Sequence, residues 1–445
     1  MSVPKYFRGE WLEAGDPGYD QAGGVFNLKF DAVRPAVIAR CLGNTDVSAA
    51  LAYAREKGLP VAVRATGYSM AGFSATTGLM IDLSLMRNIR IDRDTATAWI
   101  GGGVNGGDLQ IEAFPYGLAA AMGGLSSTGA GLVLAGGIGS MPERVGYSAE
   151  SVLAVELVTA DGRVVVASKD QNPDLFWAVR GAGANFGVVT SLQLQLHEVH
   201  PTIAAGWVFY RPERTREALE NFRAMAPTVS DDVHMLNIVS PEGVQLWINH
   251  VGTEAEAEAE VARFLRDCPP DEDHRSRMSI RELIHLYDDD FPRQAVEMMD
   301  EHYEEITDEM LDIIVERIQL PLPEGSTAVR QIEVAVRQGA IIAEPRVPSV
   351  VHPAATERTW AVIPGVWWRD LAETEGEGKW REESHAALVA VGPTTGRAIP
   401  SYVGVPATEE VVARVYGDQL PRLRELKATW DPENVFRNNL NVAPA

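Results

Sequence analysis

Apolar residues recur along this chain at two spacings, and each spacing predicts a different element. Residues 45–57, TDVSAALAYAREK, carry apolar positions at helical intervals behind a Thr–Asp start, and Gly58 follows as a stop. Short apolar runs predict strands over 59–63, 78–83 and 95–101. Residues 108–114 predict a short helix ended by Pro115, with Tyr116–Gly117 as its exit. Residues 153–159 alternate, Asp161–Gly162 supplies a hairpin turn, and 163–167 returns. NPDLFWAVR at 172–180 predicts a helix capped by Asn172 with Pro173 in its first position. A long alternating strand is expected over 188–196. Beyond about Pro201 the texture changes. Helices are expected over 254–266, 281–287, 310–317 and 421–429, and strands over 244–251 and 360–368. EAEAEAE, from Glu254, reads as a solvated helix face rather than a binding tail. The pattern is α/β first and α+β afterwards, without an internal repeat.

The chain has 445 residues, long enough for two domains, each with its own core. At 46% hydrophobic and 23% charged it reads as globular. A net charge of −23 argues against nucleic acid or an anionic membrane as partner, because phosphates would be repelled. Cys41 and Cys268 form no CxxC pair, which indicates neither a disulfide framework nor a structural zinc. The charged N-terminal stretch has no apolar signal region, and no run is long enough to span a bilayer, so a cytoplasmic location is expected.

Two glycine-rich stretches carry the chemistry. VAVRATGYSMAG spans 61–72 and GGLSSTGAGLVLAGGIG spans 123–139. Glycine lets backbone N–H groups approach phosphate with no Cβ in the way, so the pair points to a large anionic cofactor. GAGANFG at 181–187 imitates a dinucleotide fingerprint, yet a helix precedes it and a strand follows, the reverse of a Rossmann site. There is no P-loop, no GxSxG and no HExxH cluster. His197 and His200 flank Glu198 without making a credible metal site, so no metal is expected.

Taken in order, these segments resemble the berberine bridge enzyme-like FAD-linked oxidases of the vanillyl-alcohol oxidase superfamily. DPGYDQAGGVFN and RPAVIARC open the resemblance, and the 64–72 loop is similar to the family's R-x-G-G-H-S-x-x-G. GLMIDLSLMRNIRID, GGGVNGGDL, the second glycine loop, NPDLFWAVRGAGANFGVVT and the tail DPENVFRNNLNVAP continue it. It is strong over about the first 200 residues and the last 40, and faint between. It implies an α+β, two-domain FAD-binding fold of the p-cresol methylhydroxylase type. The FAD-binding domain would take 1–200 and 401–445, with a sheet-plus-helices substrate domain inserted at 201–400. It further implies that the backbone of Arg64, Ala65, Thr66, Gly67, Tyr68 and Ser69, with Gly72, wraps the FAD pyrophosphate. Ser126, Ser127, Thr128, Gly129 and Gly131 would form the second phosphate-facing loop, and Gly136, Gly137 and Gly139 would run near the flavin. Gly187 and Val189 would meet the adenosine end, and Asn439 and Asn441 would lie by the flavin.

Departures from the family pattern shape the functional expectation. Tyr68 occupies the place of the histidine that bonds to the flavin 8-methyl group, and Thr66 replaces a glycine. No cysteine lies in the second loop, so a second covalent link is absent. The family's Asp–Asn reads Glu150–Ser151, and its Y-x-N-Y and Y-G-x-N-Y patterns have become Tyr402-Val-Gly-Val and Tyr416-Gly-Asp-Gln-Leu. The expectation is non-covalent FAD and an oxidoreductase of secondary metabolism. Its substrate would be a hydrophobic, aromatic small molecule, with hydride passing to the flavin and on to molecular oxygen. Tyr402 and Tyr416 are the remaining candidates for proton handling; the plainer reading of each is a packed aromatic with its hydroxyl bonded. Failing both, His352 or Glu344 becomes the base. Two alternatives stand: a non-redox cyclase, lyase or isomerase on the same scaffold, and a binding protein that has lost its chemistry.

Overall fold

The computed structural model describes residues 3–345, 347–351 and 357–445. Three sheets carry the chain. The first has parallel strands Val37–Arg40, Leu79–Asp82 and Val61–Arg64, with Leu79–Asp82 in the middle and Glu10–Leu12 added antiparallel at the edge. The helix Asn44–Lys57 covers it through Val47, Ala50, Leu51 and Ala54. Gly58 closes that helix in the left-handed conformation at φ 63°, as a C-terminal glycine should. The first glycine loop leaves the C-terminal end of Val61–Arg64, where ligands gather in open α/β sheets.

The second sheet is antiparallel and built around Val188–Glu198, which pairs with Thr97–Gly101, Val152–Val158 and Leu118–Ala120. The second glycine loop follows Leu118–Ala120 and contains the short helix Ala130–Leu134. One core joins this sheet to the chain's end: Val155, Leu192 and Phe186 share it with Val403, Tyr416, Leu423 and Val442. Lys427 fixes that return. It is fully buried, and its ammonium donates to Asn185 O (2.7 Å), Asp431 (2.7 Å) and Phe436 O (2.9 Å).

The third sheet has nine antiparallel strands, with Val329–Arg337 and Thr359–Trp368 near its centre. Helices Thr215–Met225, Glu254–Leu265, Asp308–Ile318 and Thr374–Val391 cover one face through Phe222, Phe264, Ile314 and Leu388. The other face meets the first glycine loop, where Met298, Ala361 and Ile363 pack with Met70 and Tyr402. All ten residues of Thr359–Trp368 are therefore buried.

Most expected elements form within a few residues of their predicted ends; three details differ. Asp46 does not cap its helix, because its carboxylate accepts from the N–H groups of Arg8 and Leu42 (2.8 Å each). Asn172 makes no side-chain cap: it turns left-handed at φ 48°, and its amide donates to Val166 O (2.7 Å). The helix expected over 281–287 is only Ile280–Leu283. Beyond it, Asp288 is drawn to Ser126, and the Tyr287 ring stacks on Trp247. Among the described residues no helix is long and apolar enough to cross a membrane, and no cluster of His, Cys, Asp and Glu could hold a metal.

Candidate cofactor and substrate site

A cleft of about 1390 Å³, open solvent at its mouth included, runs between the two glycine loops and the C-terminal tail. Ala65, Thr66, Gly67, Tyr68 and Ser69 form one wall, Gly129 and Gly131 another. Gly187, Val189, Asn439 and Tyr416 complete the predicted set that lines it. The N–H groups of Thr66, Gly67, Tyr68 and Ser69 have no acceptor among the described residues. Consecutive N–H groups of this kind form an anion-binding nest. A Cβ on Gly131 would meet nothing within 4 Å, so this wall keeps room for a ligand. The buried Asn439 Oδ1 and Ser401 Oγ lack partners, which leaves them free for a polar ligand. These features fit FAD, held by backbone dipoles rather than by cations.

Other predicted residues stand behind the cleft. Arg64 lies beneath Gly67 and pairs with the buried Asp82 at 3.3 Å, so its charge is already balanced. Gly72 rests on Phe30, where no Cβ would fit. Ser126 donates its hydroxyl (2.6 Å) and its N–H (3.1 Å) to Asp288, tying the second loop to the inserted segment. Ser127 is exposed, and the buried Thr128 donates to Leu125 O at 2.8 Å. Gly136, Gly137 and Gly139 pack on Val351, Ser148 and Met122, supporting the loop from its far side. Asn441 does not line the cleft, although its Oδ1 is unpartnered.

The two candidate tyrosines part company. Tyr416 is 4% exposed and sits beside Asn185, deep on the cofactor side. Tyr402 does not line the cleft; it packs against Met70 and Ile363, between the first loop and the third sheet. Burial, with the Glu333 carboxylate nearby, pushes its phenol above the ordinary range. Tyr68 behaves alike: burial first, then Tyr402 and Glu333, raise its phenol, and its ring stacks on Phe26 at 4.0 Å. Phenols raised this way stay protonated at neutral pH and act as donors. His352 lies outside the described residues, and Glu344 is exposed.

Glu333 itself escaped the sequence reading. It lies on Val329–Arg337 between Ile238 and Ile363 of the flanking strands, 7% exposed. Burial raises its carboxyl to about 7, with Arg337 and a 3.1 Å bond from Gln331 opposing. A carboxylate poised there is suited to accept a proton near neutral pH. The register puts Trp247 and Trp367 on the same sheet face. Trp247 stacks on Tyr287 with rings 3.6 Å apart and 5° between planes, and Phe291 bridges Trp247 to Trp367. The signal available in sequence was the alternation of Gln331 and Glu333 with Ile332 and Val334, which resembles an ordinary solvent-facing strand.

Comparison with known proteins agrees with this geometry. A family model described as an FAD binding domain matches residues 35–168, and one described as berberine and berberine like matches 401–443. The chain is 32% identical over 467 residues to (R)-6-hydroxynicotine oxidase of Paenarthrobacter nicotinovorans, covering 100% of this chain and 98% of that one. A crystal structure of 6-hydroxy-D-nicotine oxidase from Arthrobacter nicotinovorans superposes with a TM-score of 0.89 at 30% identity, with full coverage of both chains. A variant of BBE-like 1 of Physcomitrella patens shares the fold, with a TM-score of 0.88 at 20% identity over 98% of this chain and 97% of that one. These relatives give no support to a cyclase, lyase or isomerase. The chain is an FAD-dependent oxidoreductase and belongs to the berberine bridge enzyme-like family of FAD-linked oxidases.

Proposed function

We propose that this enzyme oxidises a small arylalkylamine, using non-covalently bound FAD and molecular oxygen. The observation that carries the substrate class is the wall of Trp247, Tyr287, Phe291 and Trp367 on the same sheet face as Glu333. Flat rings stack on such a surface, and a chain of net charge −23 draws cationic amines toward it. The name of the hydroxynicotine oxidase relative points the same way. When bound, FAD supplies the hydride acceptor for the C–H bond beside the nitrogen. Glu333 accepts the proton that the ammonium nitrogen gives up, so that hydride loss from the neutral amine leaves an iminium ion. Tyr402 and Tyr68, protonated, donate hydrogen bonds that orient the substrate. The first loop holds the pyrophosphate through its N–H groups, and Asn439 holds the cofactor's polar edge. A cytoplasmic place in secondary metabolism completes the reading; the buried free thiols of Cys41 and Cys268 are compatible with a reducing compartment.

Mixing the yellow protein anaerobically with arylalkylamines, benzylic alcohols and oligosaccharides tests the substrate class. Loss of flavin colour with the amines is the expected result. Bleaching by alcohols or sugars alone would overturn the amine assignment. Flavin attachment is tested separately. Tyr68 has no imidazole nitrogen to attack the 8-methyl carbon, so acid precipitation should leave a colourless pellet and a yellow supernatant. A denatured chain with a flavin mass adduct would reject the non-covalent reading.

A further inference from the structure

Residues 25–31 run between the first glycine loop and the third sheet and bond to both. On the loop side, Phe26 donates its N–H to Gly67 O at 3.0 Å and stacks on Tyr68, with 24° between planes. Phe30 fills the space beside Gly72. On the sheet side, Leu28 N–H donates to Gln294 O at 3.2 Å, and Lys29 pairs with Glu297. Arg293 donates to Val25 O at 2.6 Å and pairs with Asp31.

Asn27 joins the two sides. It is 1% exposed, and its amide faces opposite ways. Nδ2 donates to Met70 O at 2.6 Å in the loop and to Val296 O at 2.8 Å in the edge strand Ala295–Met298. Oδ1 accepts from the N–H groups of Val296 (3.2 Å) and Lys29 (3.1 Å). One side chain thus ties the loop to the sheet that carries the substrate face. Removing it strips partners from buried backbone groups on both sides.

We infer that residues 25–31 form a strap that fixes the Tyr68 loop in its flavin-binding shape and couples that shape to the seat of the third sheet, with Asn27 and Phe26 as positioning residues. The inference rests on the non-covalent reading above. Without a bond to the ring, the N–H nest keeps its geometry only if the loop is held from behind. Phe26 supports the Tyr68 ring, and Asn27 holds the carbonyl two residues beyond it.

The test is a fluorescence titration of full-length apoprotein with FAD, alongside thermal unfolding with and without FAD. Asn27→Ala and Phe26→Ala should each weaken FAD at least about tenfold and shrink the rise in Tm that FAD gives. Phe26→Tyr should restore both. Phe26 is only half-buried, so its variants remain informative if Asn27→Ala does not fold. Wild-type affinity in the Phe26→Ala variant, or equal loss in Phe26→Tyr, would overturn the strap while leaving dissociable FAD intact. Flavin that stays with denatured wild-type chain would overturn both readings together.

Discussion

Glu333→Gln is expected to slow anaerobic flavin reduction by about 10²–10⁴-fold, the usual contribution of a positioned base. Flavin binding should survive, because Glu333 lies on the third sheet and not in the glycine loops. In the wild type, reduction should speed up as pH rises through about 7, where the carboxyl loses its proton, and level off above. The variant's profile should lack that limb. Tyr402→Phe should cost much less, since a phenol raised by burial and by Glu333 is a donor and not the base. Tyr416→Phe should leave reduction unchanged, its phenol being on the cofactor side. Stopped-flow reduction of all three with one amine decides between these groups. A Glu333→Gln enzyme reducing at the wild-type rate would place the base elsewhere.

The same carboxyl has a stability signature. Its folded pKa lies above the ordinary 4.5, so the contribution is fully present below about 4.5 and lost as pH rises through about 7. The penalty for ionising it in place is on the order of 3 kcal/mol. Wild-type protein should therefore unfold at lower temperature at pH 8 than at pH 5, and Glu333→Gln should flatten that part of the profile. Glu150, raised to about 7 chiefly by burial, adds a component that the variant retains.

Gly67→Val is the second large effect expected: FAD affinity should fall at least about 100-fold in a chain that still folds. Gly67 has φ 84°, where a side chain costs roughly 1–2 kcal/mol, and more for a β-branched residue. Its Cβ would also sit 2.8 Å from Arg64 Nε. That guanidinium cannot swing away freely, because Asp82 holds it and is itself fully buried. The backbone must rotate instead. Doing so breaks the bond from Phe26 N–H and turns neighbouring N–H groups from the pyrophosphate. A loss near 3 kcal/mol corresponds to about 100-fold in the dissociation constant. Apoprotein circular dichroism and an FAD titration measure the two sides. Unchanged affinity would mean that the phosphates lie against another wall of the cleft.

What the chain alone determined is its local grammar and its cofactor. Glycine loops, hairpin turns and helix stops act within a few residues, so 61–72, 123–139 and the turn at Gly162 were readable in order. Of the tail's two asparagines, Asn439 lines the cleft and Asn441 does not. Other assignments depended on which side of a loop faces the ligand. Arg64, Gly72, Ser126 and Gly136 belong to the right segments yet stand behind them, and only the packed partners Asp82, Phe30, Asp288 and Val351 reveal it.

The aromatic face beside Glu333 was decided by the tertiary structure alone. Alternation along Val329–Arg337 gives two faces but does not say which is wet, and here both are covered. Glu333 is buried beside Ile238 and Ile363, nearly a hundred residues and thirty residues away, and the Tyr287 ring that stacks on Trp247 adjoins Asp288, which is bonded to Ser126. Asn27 likewise acquires its role from Met70 and Val296, at separations of 43 and 269 residues. Burial and pKa are properties of neighbours brought together by folding, and they carry no local signature in the chain.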